Sequence, residues 1–224
     1  MLRVIKTTAD GSPTIYIPEL KEHYHSVHGA IQESEFIFIE RALRRRNGEN
    51  IKLLEIGLGT GLNAFLTCME AEKKRQNICY HSVELYPVEK DLYEEIGKFF
   101  SGNEYSKSIF MQIHDCEWDK ETDIGSFFRL KKIKADIRIF SSSIGYDVVY
   151  FDAFGPEVQP FLWTAEIFKN IAEMMNPGAI LATYSAKGQV GRNMRQAGLT
   201  VERMPGPPGK REIIVASKPL NPVL

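Results

Sequence analysis

The stretch "LEIGLGTGLN", Leu54 to Asn63, constrains the chain more than any other. It follows the apolar run "IKLLEIG" and opens "TGLNAFLTCMEAEKKR", which reads as an amphipathic helix. Gly57, Gly59 and Gly61 therefore sit where a strand turns directly into a helix. Glycine lets the backbone bend sharply there and approach a ligand with no Cβ in the way. The first N–H groups of the helix point back at the loop. The next segments keep the rhythm: "ICYHSVEL" is a strand, and "PVEKDLYEEIGKFF" a helix with Pro87 suited to its first turn. Strand, helix, strand, helix predicts a parallel α/β sheet with a ligand crevice at the carboxyl ends of its strands.

The rest of the chain fits one such domain. The first 30 residues are polar and aromatic, with turn signals at Asp10-Gly11 and Pro13, and read as irregular chain around a short hairpin. Glu33 to Arg46, "ESEFIFIERALRRR", reads as a helix with Ser34 as its cap. Residues 101–145 are less regular. "SFFRLKKIKADI" is read there as a strand setting Phe128, Leu130 and Ile133 against Arg129, Lys131 and Lys132. Then come strand "YDVVYFDAF", helix "TAEIFKNIAEMM", a stop at Pro177-Gly178, strand "AILATYS" and a helix closed by Gly198. Two last strands, "TVERM" and "REIIVAS", flank the turn "PGPPGK". The expected fold class is α/β, Rossmann-like: about seven strands, mostly parallel, with an antiparallel C-terminal strand. Residues 1–50 form an N-terminal extension packed on a catalytic domain over 51–224.

Bulk properties exclude several function classes. With 43% hydrophobic and 25% charged residues, the 224-residue chain reads as an ordinary soluble domain. Its apolar runs are too short to cross a bilayer, no signal peptide opens it, and a cytoplasmic location is expected. Cys68, Cys79 and Cys116 form no CxxC pair and no Cys/His cluster, and His23, His25 and His28 are loosely set, so no metal site is expected. The net charge of −1 announces no nucleic acid, although Arg44-Arg45-Arg46, Lys131-Lys132 and Lys210-Arg211 are local basic clusters.

The acids carry the chemistry. Dinucleotide binders show G-x-G-x-x-G; here the glycines alternate and Glu55 precedes them, which favours S-adenosylmethionine, a ligand with no pyrophosphate to cradle. Glu84 closes the second strand, where a carboxylate can accept both ribose hydroxyls. Asp136 or Asp115 is expected near the adenine, with Asp136 preferred because it follows its strand on the same carboxyl edge. Asp152 ends "YDVVYF" at the same edge. There a carboxylate can accept an N–H from an acceptor amine, aim its lone pair and take a proton. The candidate cofactor contacts are Glu55, Gly57, Gly59, Gly61, Leu62, Asn63, Glu84, Leu85, Asp136, Ile137 and Asp152, with Asp152 also catalytic.

"LEIGLGTGLN", "HSVELYP", "FDAFGPEVQPFLWT", "LATYSAKGQVGRNM", "QAGLTVERMPGPPGKRE" and the early "YHSVHGAIQESEFIF" stand in the same order as in the methyltransferase domain of MnmC-type proteins. The resemblance runs from about Thr8 to Ala216. It departs at Gln159-Pro160, where the family often has Asn-Pro, and at Gly191-Arg192, where it often has two arginines. It implies an S-adenosylmethionine-dependent enzyme, releasing S-adenosylhomocysteine, that methylates the 5-aminomethyl group of wobble uridine in tRNA. No second G-x-G-x-x-G appears, so only the methyl-transfer half is expected, with a separate enzyme supplying the aminomethyl precursor. Tyr24, Glu33, Phe154, Trp163, Lys187, Arg192, Lys210 and Arg211 are the candidate substrate contacts. Two alternatives stand beside this reading: an aminopropyltransferase resembling spermidine synthase, and a non-catalytic RNA-binding domain that keeps the fold.

Overall fold

The alternation of apolar strands and amphipathic helices closes into one eight-stranded sheet with helices on its faces. The computed structural model describes residues 1–220, so the last four residues of the domain expected over 51–224 lie outside the described chain. Three short strands come first, β1 (Val4–Thr7), β2 (Pro13–Ile17) and β3 (Glu22–His23), paired antiparallel in a small separate sheet. Helix α1 (Ala30–Ser34) follows. The main unit then runs β4 (Asn50–Ile56), α2 (Leu62–Lys74), β5 (Asn77–Glu84), α3 (Lys90–Gly97), α4 (Glu104–Asp115), β6 (Glu121–Asp123), β7 (Phe128–Lys134), β8 (Tyr146–Phe151), α5 (Ala165–Met174), β9 (Met175–Thr183), α6 (Gly188–Gln196), β10 (Thr200–Pro205) and β11 (Glu212–Ser217).

The sheet order is β10-β11-β9-β8-β4-β5-β7-β6. The central strands are parallel, and β11, β10 and β6 run antiparallel to their neighbours. From β4 the chain winds outward through β5 and β7, and later from β8 through β9. The boundary between β4 and β8 is therefore the switch point, where a crevice opens at the carboxyl ends. One face of the sheet packs Tyr80, Leu130 and Tyr150 against Phe65 and Cys68 of α2 and Phe110 and Ile113 of α4. The other packs Val149, Phe151 and Leu181 against Phe168 and Ile171 of α5 and Val190 and Met194 of α6. No helix among the described residues is long and apolar enough to cross a membrane.

Several local expectations are corrected. The sheet has eight strands, not about seven, because the three-residue β6 pairs with the edge of β7; a segment so short and polar carries no alternation to read. Residues 1–30 hold a three-stranded sheet instead of mostly irregular chain. Ser34 is not a cap: its backbone is helical (φ −64°, ψ −44°) and the cap position belongs to Gly29. The helix expected to Arg46 passes into a π-helical turn over Glu35–Glu40 and a 3₁₀ turn over Leu43–Arg45. Ile37, Phe38 and Ile39 are all buried, which a single α-helical stripe does not accommodate. Pro87 precedes α3 instead of opening it, since Glu89 is the cap. Pro177-Gly178 lies inside β9 instead of stopping the chain before it. Lys132 is buried, not on an exposed face. Strand period places it with Phe128 and Leu130, where its ammonium donates to the His114 carbonyl and sits 4.9 Å over the Trp118 ring.

Helix α4 was not legible within 101–145. Its start is set by Asn103, whose side chain accepts from the Ser106 N–H at 3.0 Å. Its end carries His114, whose Nε2 donates to the Thr60 carbonyl at 3.0 Å and so braces the glycine loop. Asn103→Ala is expected to lower unfolding free energy by about 1 kcal/mol in urea titration.

Candidate active site at the carboxyl edge

The residues at the tips of β4, β5 and β8 and after β7 surround one cleft of about 750 Å³, a size typical of small-molecule sites. Gly57 forms its floor. Its φ is +92°, and a Cβ there would stand 2.7 Å from the Asp152 carbonyl oxygen. Only glycine lets the β4 and β8 tips approach so closely. Gly61 (φ +74°) opens α2, and a Cβ on it would meet His114 Nε2 at 2.9 Å. Between them the Gly59 N–H donates to Glu84 Oε2 at 3.2 Å, while the Tyr86 N–H donates to Glu84 Oε1 at 2.7 Å. Two backbone donors thus fix the Glu84 carboxylate on the rim, with lone pairs left to accept hydroxyl groups.

Across the cleft, Asp136 is gripped by Arg138, whose Nε donates to both carboxylate oxygens at 2.8 and 3.0 Å. The guanidinium holds the Asp136 carboxyl below its ordinary range. Asp136, Leu85 and Ile137 line the cleft. Asp115 does not: it accepts the Tyr93 hydroxyl at 2.9 Å, so of the two candidates only Asp136 faces a ligand.

Asp152 stands at the inner end. Asn63 Nδ2, from the first turn of α2, donates to its Oδ2 at 2.8 Å. Burial pushes the Asp152 carboxyl up to about 7; the Asn63 bond opposes this, the Glu33 carboxylate adds to it, and Lys210 opposes it. Lys210 Nζ lies 3.2 Å from Glu33 Oε1 and 4.8 Å from the Tyr184 ring centre. The Tyr184 hydroxyl donates to the Ala153 carbonyl at 2.8 Å. Tyr24 and Phe154 meet edge to face at 5.1 Å and form a wall. His25, half-buried beside Thr60, has its pKa pushed down to about 4 by loss of hydration.

Several sequence candidates lie elsewhere. Glu55 is fully buried beneath the cleft, where the Ser82 hydroxyl donates to its Oε2 at 2.6 Å. Burial, with the nearby Asp152 carboxylate, pushes it up to about 8 against that bond. Glu55 therefore supports the floor and does not line the cleft. Leu62 packs in the core, and Asn63 acts through Asp152. Trp163 is no cleft wall: it is 3% exposed, packs on Phe151 and Phe168, and donates its Nε1 proton to the Phe154 carbonyl at 2.8 Å. Its ring belongs to the core because α5 packs over it. Lys187, Arg192 and Arg211 stand outside the cleft, Lys187 paired with Glu157 and Arg192 with Gln189. By the family resemblance Tyr24 to Ala30 reads as a segment that folds over the cofactor or the target base, and Tyr24 to His28, His25 included, line the cleft. Arg3, Phe161 and Tyr184 were missed, the last two although they fall inside quoted motifs, because nothing local marks them as lining residues.

A family model described as S-adenosyl-L-methionine-dependent methyltransferase matches residues 103–219. The tRNA 5-methylaminomethyl-2-thiouridine biosynthesis bifunctional protein MnmC of Nitrosospira multiformis is 27% identical over 93% of this chain and 36% of its own length. The protein of the same name from Cupriavidus necator is 27% identical over 94% and 33%. The chain thus spans about a third of the length of these relatives. The crystal structure of MNMC2 from Aquifex aeolicus superposes with a TM-score of 0.74 at 25% identity, covering 100% of this chain and 73% of that one. Spermidine synthase from Thermotoga maritima (TM-score 0.54, 12% identity, 100% and 81% covered) shares the fold alone.

Glu55 gives this site a stability signature. Its folded pKa lies above the ordinary carboxylate value, so the folded state binds more protons than the unfolded one between about pH 4.5 and about 8. Stability contributed by the neutral form is lost as pH rises through that window. Glu55→Gln is expected to flatten the slope and to raise stability above pH 8 by on the order of 2 kcal/mol, read by urea unfolding at several pH values.

Proposed function

This chain belongs to the S-adenosyl-L-methionine-dependent methyltransferases, and from that premise we propose that it methylates the 5-aminomethyl group of wobble (2-thio)uridine in tRNA. The observation that carries the reading is the placement of Asp152: a carboxylate of raised pKa, aimed by Asn63, at the inner end of the cleft below a Tyr24–Phe154 wall. The printed names of relatives that match more than nine-tenths of the chain support the substrate.

The cleft fits the cofactor. Gly57 and Gly59 line it with backbone alone, and Glu84 offers a held carboxylate for a diol. Leu85, Asp136 and Ile137 form the edge suited to a purine. The cofactor supplies an electrophilic methyl on a sulfonium. The chain supplies alignment, which in favourable cases is worth about 7–11 kcal/mol of barrier. Asp152 accepts an N–H from the amine, aims its lone pair along the cleft, and takes the proton that the methylated nitrogen sheds. Lys210 favours the charged form of Asp152 and Glu33 disfavours it, so their ion pair tunes this acceptor. Tyr24 and Phe154 exclude water. Lys187, Arg192, Lys210 and Arg211 contact phosphates outside and at the mouth of the cleft, which positions tRNA without reading sequence. A separate enzyme supplies the aminomethyl precursor.

An acid-lined cleft also suits a polyamine, as in the aminopropyltransferase alternative. Glu33, Glu89 and Asp136 line the cleft, but Lys210, Arg3 and Arg138 already pair with them. The remaining negative charge is that of a nucleoside site, not of a channel for a dication.

Methyl label from S-adenosylmethionine is expected to enter 5-aminomethyl wobble uridine on nucleoside analysis; no methylation of that tRNA, with an aminopropyl group passing instead from decarboxylated cofactor to putrescine, would overturn the reading. Asp152→Asn should lower kcat/KM by about 10²–10⁴. Because Asp152 titrates at about 7, cofactor affinity by calorimetry should tighten as pH rises through 7, and Asp152→Asn should remove that dependence. Arg211→Ala should weaken tRNA binding and reduce the slope of log K against log salt by about 1.

A further inference from the structure

A polar cluster away from the cleft has no part in methyl transfer. Between β7 and β8 the chain crosses by residues 135–145 without a helix. The sheet face toward β6 is therefore left partly open. Strand register lays Leu54, His81, Lys131 and Glu121 in one row across β4, β5, β7 and β6, and Lys52, Cys79, Arg129 and Asp123 in the next. Cys79 and His81, two residues apart on β5, point to the same side.

Cys79 Sγ lies 3.6 Å from His81 Nε2, and His81 Nε2 lies 3.9 Å from Glu121 Oε1. All three ligand-type atoms fall within 4.8 Å of one another. A tetrahedral zinc ion, with Zn–S of about 2.3 Å and Zn–N of about 2.0–2.1 Å, sets sulfur and nitrogen about 3.6 Å apart. The sulfur–nitrogen pair already has that spacing, and the half-exposed Glu121 side chain has room to close the rest.

The histidine is oriented for the task. Tyr146 Oη lies 2.8 Å from His81 Nδ1 and 3.4 Å from Ser142 Oγ. With its own proton given to Ser142 it accepts the Nδ1 proton, the tautomer that turns the Nε2 lone pair toward Cys79 and Glu121, and such an outer bond is one that metal-binding histidines usually make.

We propose that Cys79, His81 and Glu121 form a binding site for a borderline-soft divalent cation, zinc foremost, with one coordination position left for water. Sulfur, imidazole nitrogen and carboxylate are the donors such an ion takes. On binding, the Cys79 S–H bond breaks, its electron pair goes to the metal, and one proton leaves to solvent; nothing is oxidised or reduced. Thiolate and carboxylate neutralise the ion. The ion would tie the β6 edge to β5 across β7. None of the three residues lines the cleft, so the site is separate from methyl transfer. Cys79 and His81 stand two residues apart on β5, but Glu121 comes 40 positions later from β6, and only the fold brings it to them.

The test is titration of chelator-treated protein with zinc against a chromophoric competitor, followed by cobalt substitution. One ion per chain, one proton released in weak buffer, and a sulfur-to-cobalt charge-transfer absorption are expected. Cys79→Ser should abolish that absorption, and Glu121→Gln and Tyr146→Phe should each weaken zinc about 10–100-fold. Glu121 is exposed, so Glu121→Gln keeps the metal-free melting temperature and decides the matter even if Cys79→Ser unfolds. Absence of saturable zinc binding, or binding unchanged in Glu121→Gln, would overturn the proposal.

Discussion

The contact on which the site depends is between two backbones. At the switch point the tip of β4 runs so close to the tip of β8 that Gly57 leaves no room for a side chain against the Asp152 carbonyl. The Asp152 N–H donates to the Ile56 carbonyl at 3.0 Å, and the Gly57 N–H to the Val83 carbonyl at 2.9 Å. Three strand ends are thereby locked at one level. Much of the cleft lining hangs from them: Glu84 at the end of β5, Asp152 just past β8, and the glycine loop that Glu84 grips. Asn63, in the first turn of α2, reaches back to Asp152 because the loop delivers the helix directly over that tip.

The sequence made legible what is periodic or local. The parallel strands, the glycine loop and the carboxyl-edge positions of Glu84, Asp136 and Asp152 follow from apolar runs ending in glycine or acid. It concealed what depends on a partner distant in the chain. Trp163 stands among turn residues and reads as a surface aromatic, yet α5 folds over it. Lys132 sits in a basic cluster, yet strand period turns it inward to His114 and Trp118. Glu55 heads the loop motif and reads as a ligand contact, but Ser82, its direct neighbour across β5, claims it from below. Lys210 and Glu33 stand far apart in sequence, and nothing but the fold brings them together beside Asp152.

The N-terminal strands show why residues before the parallel sheet matter to the site. Arg3 donates to the Tyr86 carbonyl at 2.8 Å, the Pro87 carbonyl at 2.9 Å and Glu89 at 2.7 Å, which fastens β1 to the loop after β5. A second anchor is the Thr8–Asp10–Ser12 cluster, where Ser12 Oγ accepts from the Ala30 N–H at 3.2 Å. Between these anchors the segment from Tyr24 to His28 lies along the cleft. Tyr24 can stand against Gly59 and Phe154 because both ends of its segment are tied down.

The electrostatics of the floor then suit a cationic ligand. Glu55 is fully buried and Asp152 half-buried beside it; the Asp152 carboxylate raises the cost of ionising Glu55, and Glu33 raises that of Asp152. Glu55 is shut off from the cleft and Asp152 lines it, which leaves Asp152 as the group whose charge responds to what enters. A sulfonium restores the Asp152 charge that burial suppresses, and a thioether does not. In the proposed reaction the sulfur loses its positive charge as the methyl leaves, and Asp152 gains a proton. Both changes weaken attraction across the same few ångströms, so the carboxylate that helps to hold the substrate pair has little hold on the products.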